Sequence, residues 1–572
     1  MDETTKFWVA CDNKQLDVIR RLLLDPRVDI AKYNNYATRW ICGHGYADMV
    51  LLLLADSRVD PADQHNDAMQ QACENGHIDV VRLLLADSRV NPADCNNMAI
   101  IWACRNGHAD VVRLLLADNR VDPTVINNEA IRFACANGHA DVTRLLLADS
   151  RVNPVDMHNY AIRQACTHGH VGVVRLLLAD NRVNPVEKNN SAIRWACANG
   201  HTDVVRILLA DSRVNPSNVN NEAMRQACAN GHIDVVRLLL ADSRVNPSDV
   251  NNEAMRVACE NGHVNIVRLL MADGRVNPTD INNEAMRLAC LNDRLGVVRL
   301  LLTDDRINPA DDNNLVIRYI CANGHVDTVR LLLADDRVNP ADVHNEAIRR
   351  ACEYGHIDVV RLLLADNRIN PADVNNEAMR QACARGHVDI VRLLLADERT
   401  NPADVNNEAI IEVSRKGHYG VLRLLLTDDR VDPTDRNNAA MRLACIHGQV
   451  DVIRLLLMDS RIDVCHAVLT CPGIVTKYGK YQQICALLAL VGVERDCCKW
   501  DPLDPTLYNM DKLCYWQRTL YINLYKQDEK FRDGPYGVLL KDRLKVADLY
   551  GSGVLTSRLP MEIIELVLEY TR

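Results

Sequence analysis

The stretch Asn251-Asn-Glu-Ala-Met-Arg-Val-Ala-Cys-Glu-Asn-Gly-His263, continued by Val-Asn-Ile-Val-Arg-Leu-Leu-Met-Ala-Asp-Gly-Arg-Val-Asn-Pro278, decides the fold. It holds two short helical patterns and a turn. Ala254, Met255, Ala258 and Cys259 fall at i, i+1, i+4 and i+5, a narrow apolar stripe on a helix. Asn252 reads as a good N-cap, with Glu253 in the first turn where the helix dipole favours an acid. Gly262 ends this helix, because glycine readily takes the left-handed conformation there. The second helix runs through residues 267–271 and, being more apolar, is expected to be the more buried one. Arg275-Val-Asn-Pro278 then turns the chain, since proline cannot continue a helix and restrains the residue before it.

Outward from this stretch the same 31-residue unit recurs fifteen times, from Gln15 to Gln449, without insertion or deletion. A Gly-His step marks the register at His77, His108, His139, His170, His201, His232, His263, His325, His356, His387 and His418. Gln15, Tyr46, Arg294 and Gln449 hold the same slot in the remaining copies. A fixed period of this size predicts an all-α solenoid, in which each unit buries its apolar face only against its neighbours. Such arrays offer long binding surfaces, and this unit carries no recurring catalytic group.

At 572 residues the chain exceeds what one compact core supports, a limit that stacking escapes. The formal charge of −10, from 66 basic and 76 acidic residues, argues against a nucleic-acid binder. The start lacks a basic region followed by an apolar run, and the longest apolar stretch, residues 484–493, is too short to span a bilayer. A soluble, cytoplasmic monomer without cofactor is expected. Fourteen of the 21 cysteines occupy one repeat position, from Cys11 and Cys42 to Cys383 and Cys445. Stacked helices lie roughly 10 Å apart, beyond the ~7 Å Cα limit for a disulfide. Thiols in such a ladder point to a reducing compartment.

Asp stands ten places after the His slot in all fifteen copies, from Asp25 to Asp459, and Arg follows two places later, from Arg27 to Arg461. A second Arg lies five places after the slot in fourteen copies. An acid beside each base reads as charge-paired ladders joining neighbouring units, worth about 0–1 kcal/mol per exposed pair, rather than as a phosphate track. The Cys and His ladders offer two ligands per unit where zinc needs about four, so no metal is expected. Cys reads as a small core residue and His as bonding backbone at the turn.

The residues quoted above resemble the ankyrin repeat. Ala-Cys-x-Asn-Gly-His-x-Asp-Val-Val-Arg-Leu-Leu-Leu is similar to the second half of that family's pattern, and the likeness covers residues 1 to about 465. Two departures stand out. Glu-Ala-Met-Arg or Glu-Ala-Ile-Arg replaces the family's Thr-Pro-Leu-His, and the unit is two residues shorter than usual, which implies a blunted hairpin between repeats. The resemblance also implies that helix one lines a concave face. On it, the slot just before the Ala-Cys pair varies widely, with Trp40, Trp102, Phe133, Trp195, Tyr319 and Arg350 alternating with Gln, Val and Leu. Aromatic and Arg side chains dominate binding hot spots, so these six are the expected partner-binding residues. A lesser variable slot, two places before the Gly, holds Glu74, Arg105, Thr167, Glu260, Leu291, Glu353 and Arg415.

Residues 1–30 read as an N-terminal capping repeat, 31–463 as the array, 464–493 as a degenerate capping repeat, and 494–572 as a helical tail. In the tail, Leu559-Pro-Met-Glu-Ile-Ile-Glu-Leu-Val-Leu-Glu-Tyr570 resembles the first helix of an F-box, within segment 558–572. In that family the helix docks the Skp adaptor of a cullin-type ubiquitin ligase, which would give Leu559, Pro560, Glu562, Ile563 and Leu566 the adaptor contact. Ankyrin arrays ending in a shortened F-box are a feature of large DNA viruses, where they look like substrate receptors redirecting host ubiquitination. The expectation is therefore a non-catalytic protein-binding chain and a receptor for such a ligase. The alternative is a structural scaffold or spacer with no ligase contact.

Overall fold

The computed structural model describes residues 2–459, 461 and 462; the degenerate unit 464–493 and the tail 494–572 lie outside the described residues. The chain divides into two units, Met1–Ile307 and Asn308–Arg572. The first carries twenty helices and the second ten among its described residues, all in consecutive pairs and without strands. Within each unit, helix one of a repeat packs on helix one of the next, and helix two on helix two. This is the expected helix-pair solenoid. Among the described residues no helix is long and apolar enough to cross a membrane.

The quoted repeat forms helices Asp249–Asn261 and Val264–Ala272. Ala254, Met255, Ala258 and Cys259 are buried, as their spacing predicts, and Gly262 caps the first helix at φ +84°. Asn252 is a correction to the sequence reading. Val250, Asn251 and Asn252 all have left-handed backbone, with φ of 50°, 56° and 57°, so Asn252 does not cap the following turns. Asn tolerates this conformation better than other non-glycine residues, and every array repeat repeats the three-residue left-handed turn. A second expectation also changes. Helix two buries three of nine residues and helix one five of thirteen, because Asn265 and Arg268 turn the outer face of helix two to water.

The left-handed turn puts Asn252 into the junction with the next repeat. Its side chain, 3% exposed, donates from Nδ2 to Asp280 Oδ2 at 2.6 Å and accepts from the Asn277 backbone N–H at 3.1 Å. The same pair of bonds ties Asn221 to Asp249 and Asn246, and Asn376 to Asp404 and Asn401. A buried amide satisfied at both ends specifies its neighbour's position, because leaving either end unpaired costs about 1–3 kcal/mol.

The Asp–Arg ladder is built differently from the expected pairing between units. Each pair lies inside one repeat, and the Arg joins neighbours through backbone carbonyls. Arg275 grips Asp273 with Nε at 2.9 Å and Nη2 at 2.7 Å, while Nη1 and Nη2 donate to Val245 O and Leu240 O of the preceding repeat. The acceptor carbonyls sit at and beyond the end of the preceding second helix, which would otherwise lack donors. The arginine on helix one makes a further tie. Arg225 pairs with Glu253 of the next repeat at 3.0 Å, and Arg256 with Glu284 at 2.8 Å. Where Tyr160 replaces that Glu, Arg132 stacks over its ring at 5.4 Å instead.

The His slot closes the turns as expected. His232 Nε2 bonds Ala198 O at 2.9 Å, and His263 bonds Ala229 O at 2.9 Å. The substitutes reproduce the bond: Arg294 Nε donates to Glu260 O at 2.8 Å, and Gln449 Nε2 to Arg415 O at 3.2 Å. Gly169 shows why glycine precedes this slot. Its φ is +79°, and a Cβ there would lie 2.5 Å from the His201 ring. The ladder cysteines are buried. Burial pushes the thiols of Cys11, Cys42 and Cys135 up to about 12, so they are neither nucleophiles nor ready metal ligands at neutral pH.

Candidate protein-binding surface

The repeat-invariant Asn, Asp–Arg and His groups are spent in the junctions, whereas the second Arg of the unit lies on the outer face of helix two, as Arg113 does, 2.9 Å from Asp110 of its own helix. What remains free on helix one is the variable slot, and the structure sorts its residues into separate stations.

Near the N-terminus, Trp40 stacks on His44 with centroids 4.0 Å apart, and Tyr46 lies 5.8 Å from the same indole. Lys14 Nζ stands 4.5 Å over the Tyr46 ring. This group presents aromatic edges and a cation together, and Trp40 is half-buried.

A second station joins two adjacent repeats. The Arg105 guanidinium lies 5.0 Å from the Trp102 ring and 5.2 Å from that of Phe133, bridging both. Such contacts contribute about 0.5–1 kcal/mol each at partly exposed sites, so both rings are held in place before any partner arrives. Trp195 forms a third station by itself. It is 51% exposed, and no aromatic ring or cation stacks on it among the described residues.

The last station lies in the second unit, between helices Asp311–Asn323 and Asp342–Tyr354. Tyr319 and Tyr354, 53% and 52% exposed, flank a groove of about 460 Å³ that Arg318, Glu346 and Arg350 also line. Arg350 Nε bonds Glu346 Oε1 at 3.1 Å, and Nη1 reaches Glu353 Oε2 at 3.6 Å. Burial raises the pKa of Glu346, but hydrogen bonds from Arg318 and Arg350 outweigh it and hold the carboxyl below its ordinary value. The groove therefore offers fixed charge of both signs between two phenol rings.

The six residues expected from sequence thus lie on the first helices of their repeats, four in the first unit and two in the second. Within the first unit Trp102 and Phe133 share a cation and Trp40 and Trp195 stand apart from that pair; within the second, Tyr319 and Arg350 line one groove. Sequence reasoning missed Lys14, His44, Tyr46 and Tyr354. His44 and Tyr354 occupy the slot just before the Gly, where most repeats hold Asn, and that departure was a usable signal. Arg105 and Glu353, noted in the lesser variable slot, face the main slot three residues earlier. Leu559, Pro560, Glu562, Ile563 and Leu566 lie outside the described residues.

Family models described as ankyrin repeats (3 copies) match residues 7–96, 88–158, 162–251, 224–313 and 379–467. A model described as ankyrin repeats (many copies) matches 317–364 and 348–395. No curated protein is similar enough to the chain to count as a match.

Proposed function

The chain belongs to the ankyrin-repeat family, and on that premise we propose that the helix-one stations hold a specific protein partner. Ankyrin repeats serve in protein–protein interaction and are in general not catalytic. The observation that carries the finer reading is the split between slots. Junction residues repeat almost without change, whereas the slot of Trp195 and Tyr319 varies and is half exposed. Exposed, pre-ordered aromatic and Arg side chains are what a partner's desolvated pockets accept best.

The second part of the proposal concerns the C-terminus. Its support is the F-box-like run Leu559 to Tyr570. Leu559, Pro560, Glu562, Ile563 and Leu566 contact a Skp-type adaptor, and the array presents its captured partner to a cullin-type ubiquitin ligase. The scaffold reading predicts no such contact.

Affinity capture with the full chain separates the parts. Trp195→Ala with Tyr319→Ala should abolish recovery of the array's partner and leave adaptor recovery intact. Leu559→Ala with Pro560→Ala should do the reverse. A chain whose recoveries are unchanged by both pairs is a scaffold, and the proposal fails.

A further inference from the structure

One cysteine among the described residues stands outside the buried ladder. Cys95 is exposed and occupies the first position of a left-handed turn, with φ +51°. Other repeats hold Ile126, Val219, Val250 or Ile281 there. His65 stands in the neighbouring repeat's turn, in a slot where most repeats carry Asn. Stacking brings the two together across the junction with Asp94. One ligand atom from each of His65, Asp94 and Cys95 lies within 4.8 Å of the others.

We propose that His65, Asp94 and Cys95 form a binding site for Zn²⁺ that staples two neighbouring repeats. Imidazole, thiolate and carboxylate are the zinc donor set, and a thiolate disfavours Ca²⁺ and Mg²⁺. Bond lengths of about 2.0–2.3 Å place tetrahedral ligands roughly 3.5 Å apart. The side chains must therefore close by about 1 Å, which the exposed His65 and Cys95 are free to do. Asp94 is already oriented. Its Oδ2 accepts from Asn66 Nδ2 at 2.9 Å and its Oδ1 from the Cys95 backbone N–H at 3.0 Å. Each oxygen keeps a second lone pair, and such bonds to a ligating carboxylate are the usual way a ligand is held in place. Water fills the fourth position. Binding takes thiolate and neutral imidazole, so affinity falls as pH is lowered.

The array supplies its own controls. The same three slots hold His158, Glu187 and Lys188 at one junction, and His344, Asp373 and Val374 at another. His158 Nδ1 lies 3.6 Å from Glu187 Oε1, so the imidazole–carboxylate approach is a property of the slots. Only the junction with Cys95 adds a thiol.

The test uses the full chain, reduced and stripped of metal, titrated with Co²⁺ as a spectroscopic stand-in and then with Zn²⁺ in competition. Other ligands, the C-terminal cysteines included, contribute equally to every variant, so the readout is the difference. Cys95→Ser should lose one molar equivalent together with its thiolate-to-cobalt charge-transfer band. His65→Ala should weaken that equivalent at least tenfold. Lys188→Cys should add one equivalent at the second junction. All these residues are on the surface, and unchanged circular dichroism confirms the fold. Metal uptake that is identical in the wild type and Cys95→Ser overturns the site, and a Lys188→Cys chain with no added equivalent overturns the argument from slot geometry.

Discussion

Asn314 and Tyr319 lie five residues apart on the helix Asp311–Asn323, yet they obey opposite rules. Asn314 is 4% exposed. It donates to Asp342 Oδ2 at 2.7 Å and accepts from the Asn339 N–H at 2.8 Å. Tyr319 is 53% exposed, in a slot that changes from repeat to repeat. The difference separates two tasks. Junction residues fix how one unit sits on the next, and any change is felt by both; Tyr319 takes no part in that pair of bonds, and its slot is free to specialise.

Acid should break the junction side most severely, because it acts on every repeat together. Asp25 is brought down to about 2 by the hydrogen bond from Arg27, and Asp242 and Asp273 are likewise lowered first by their Arg partners. A carboxyl whose folded pKa lies below its unfolded value stabilises the fold above the unfolded pKa, about 3.9. That contribution is lost as pH falls through the folded pKa. Each Arg is partly exposed, so one pair contributes little, but fifteen act in concert. The urea midpoint should hold from pH 7 to 5 and collapse towards pH 3. A flat midpoint across that range would sink the ladder's role.

A single junction amide comes next. Asn221→Ala removes the 2.8 Å bond to Asp249 and the 3.2 Å bond from the Asn246 N–H, and puts Ala at φ +55°. The expected cost is about 3 kcal/mol, from two buried groups left unpaired and a strained backbone. Equilibrium unfolding in urea reads it directly. A loss below about 1 kcal/mol would mean that the junction tolerates slack.

These junctions were only partly legible in the sequence. The helix pairs, the Gly stop, the buried Cys ladder and the backbone-bonding His follow from local chemistry, and each is where its residue type predicts. Asn252 was misread because a cap and a left-handed turn both favour Asn; the choice depends on Asp280, 28 residues away, which sequence spacing does not join to it. The arginines were read as paired along the array, since their carbonyl acceptors carry no residue signature. The stations of the binding face, and the meeting of His65 with Cys95, arise from stacking and have no local pattern at all.

The Gly slots sharpen the comparison within the junction. A Cβ on Gly169 would meet the His201 ring at 2.5 Å, whereas on Gly262 it would meet Arg294 Cδ at 2.9 Å. Both positions have positive φ, so each Gly→Ala change carries about 1–2 kcal/mol of backbone strain. Both side chains are held by a backbone bond, His201 to Thr167 O and Arg294 to Glu260 O, but the arginine's Cγ–Cδ stem has rotamers through which to swing aside and the rigid ring has none. Gly169→Ala should therefore cost about 1 kcal/mol more than Gly262→Ala in thermal or urea unfolding. Equal costs would show that the ring yields as easily as the stem.

The smallest effects on stability belong to the face, and they test whether its stations are assembled or merely adjacent. Trp102 and Phe133 share the Arg105 guanidinium, so Trp102→Ala should lower stability by about 1 kcal/mol. Trp195 has no such partner among the described residues and is 51% exposed, so Trp195→Ala should stay within about 0.5 kcal/mol of the wild type. The two changes should reverse rank in binding if the lone indole is the deeper anchor, since its area is free for a partner to bury. Unfolding midpoints and partner affinity measured on the same two variants decide the matter. A Trp195→Ala chain that loses stability as Trp102→Ala does would place that ring with the junctions, and the division between interior and face would have to be drawn elsewhere.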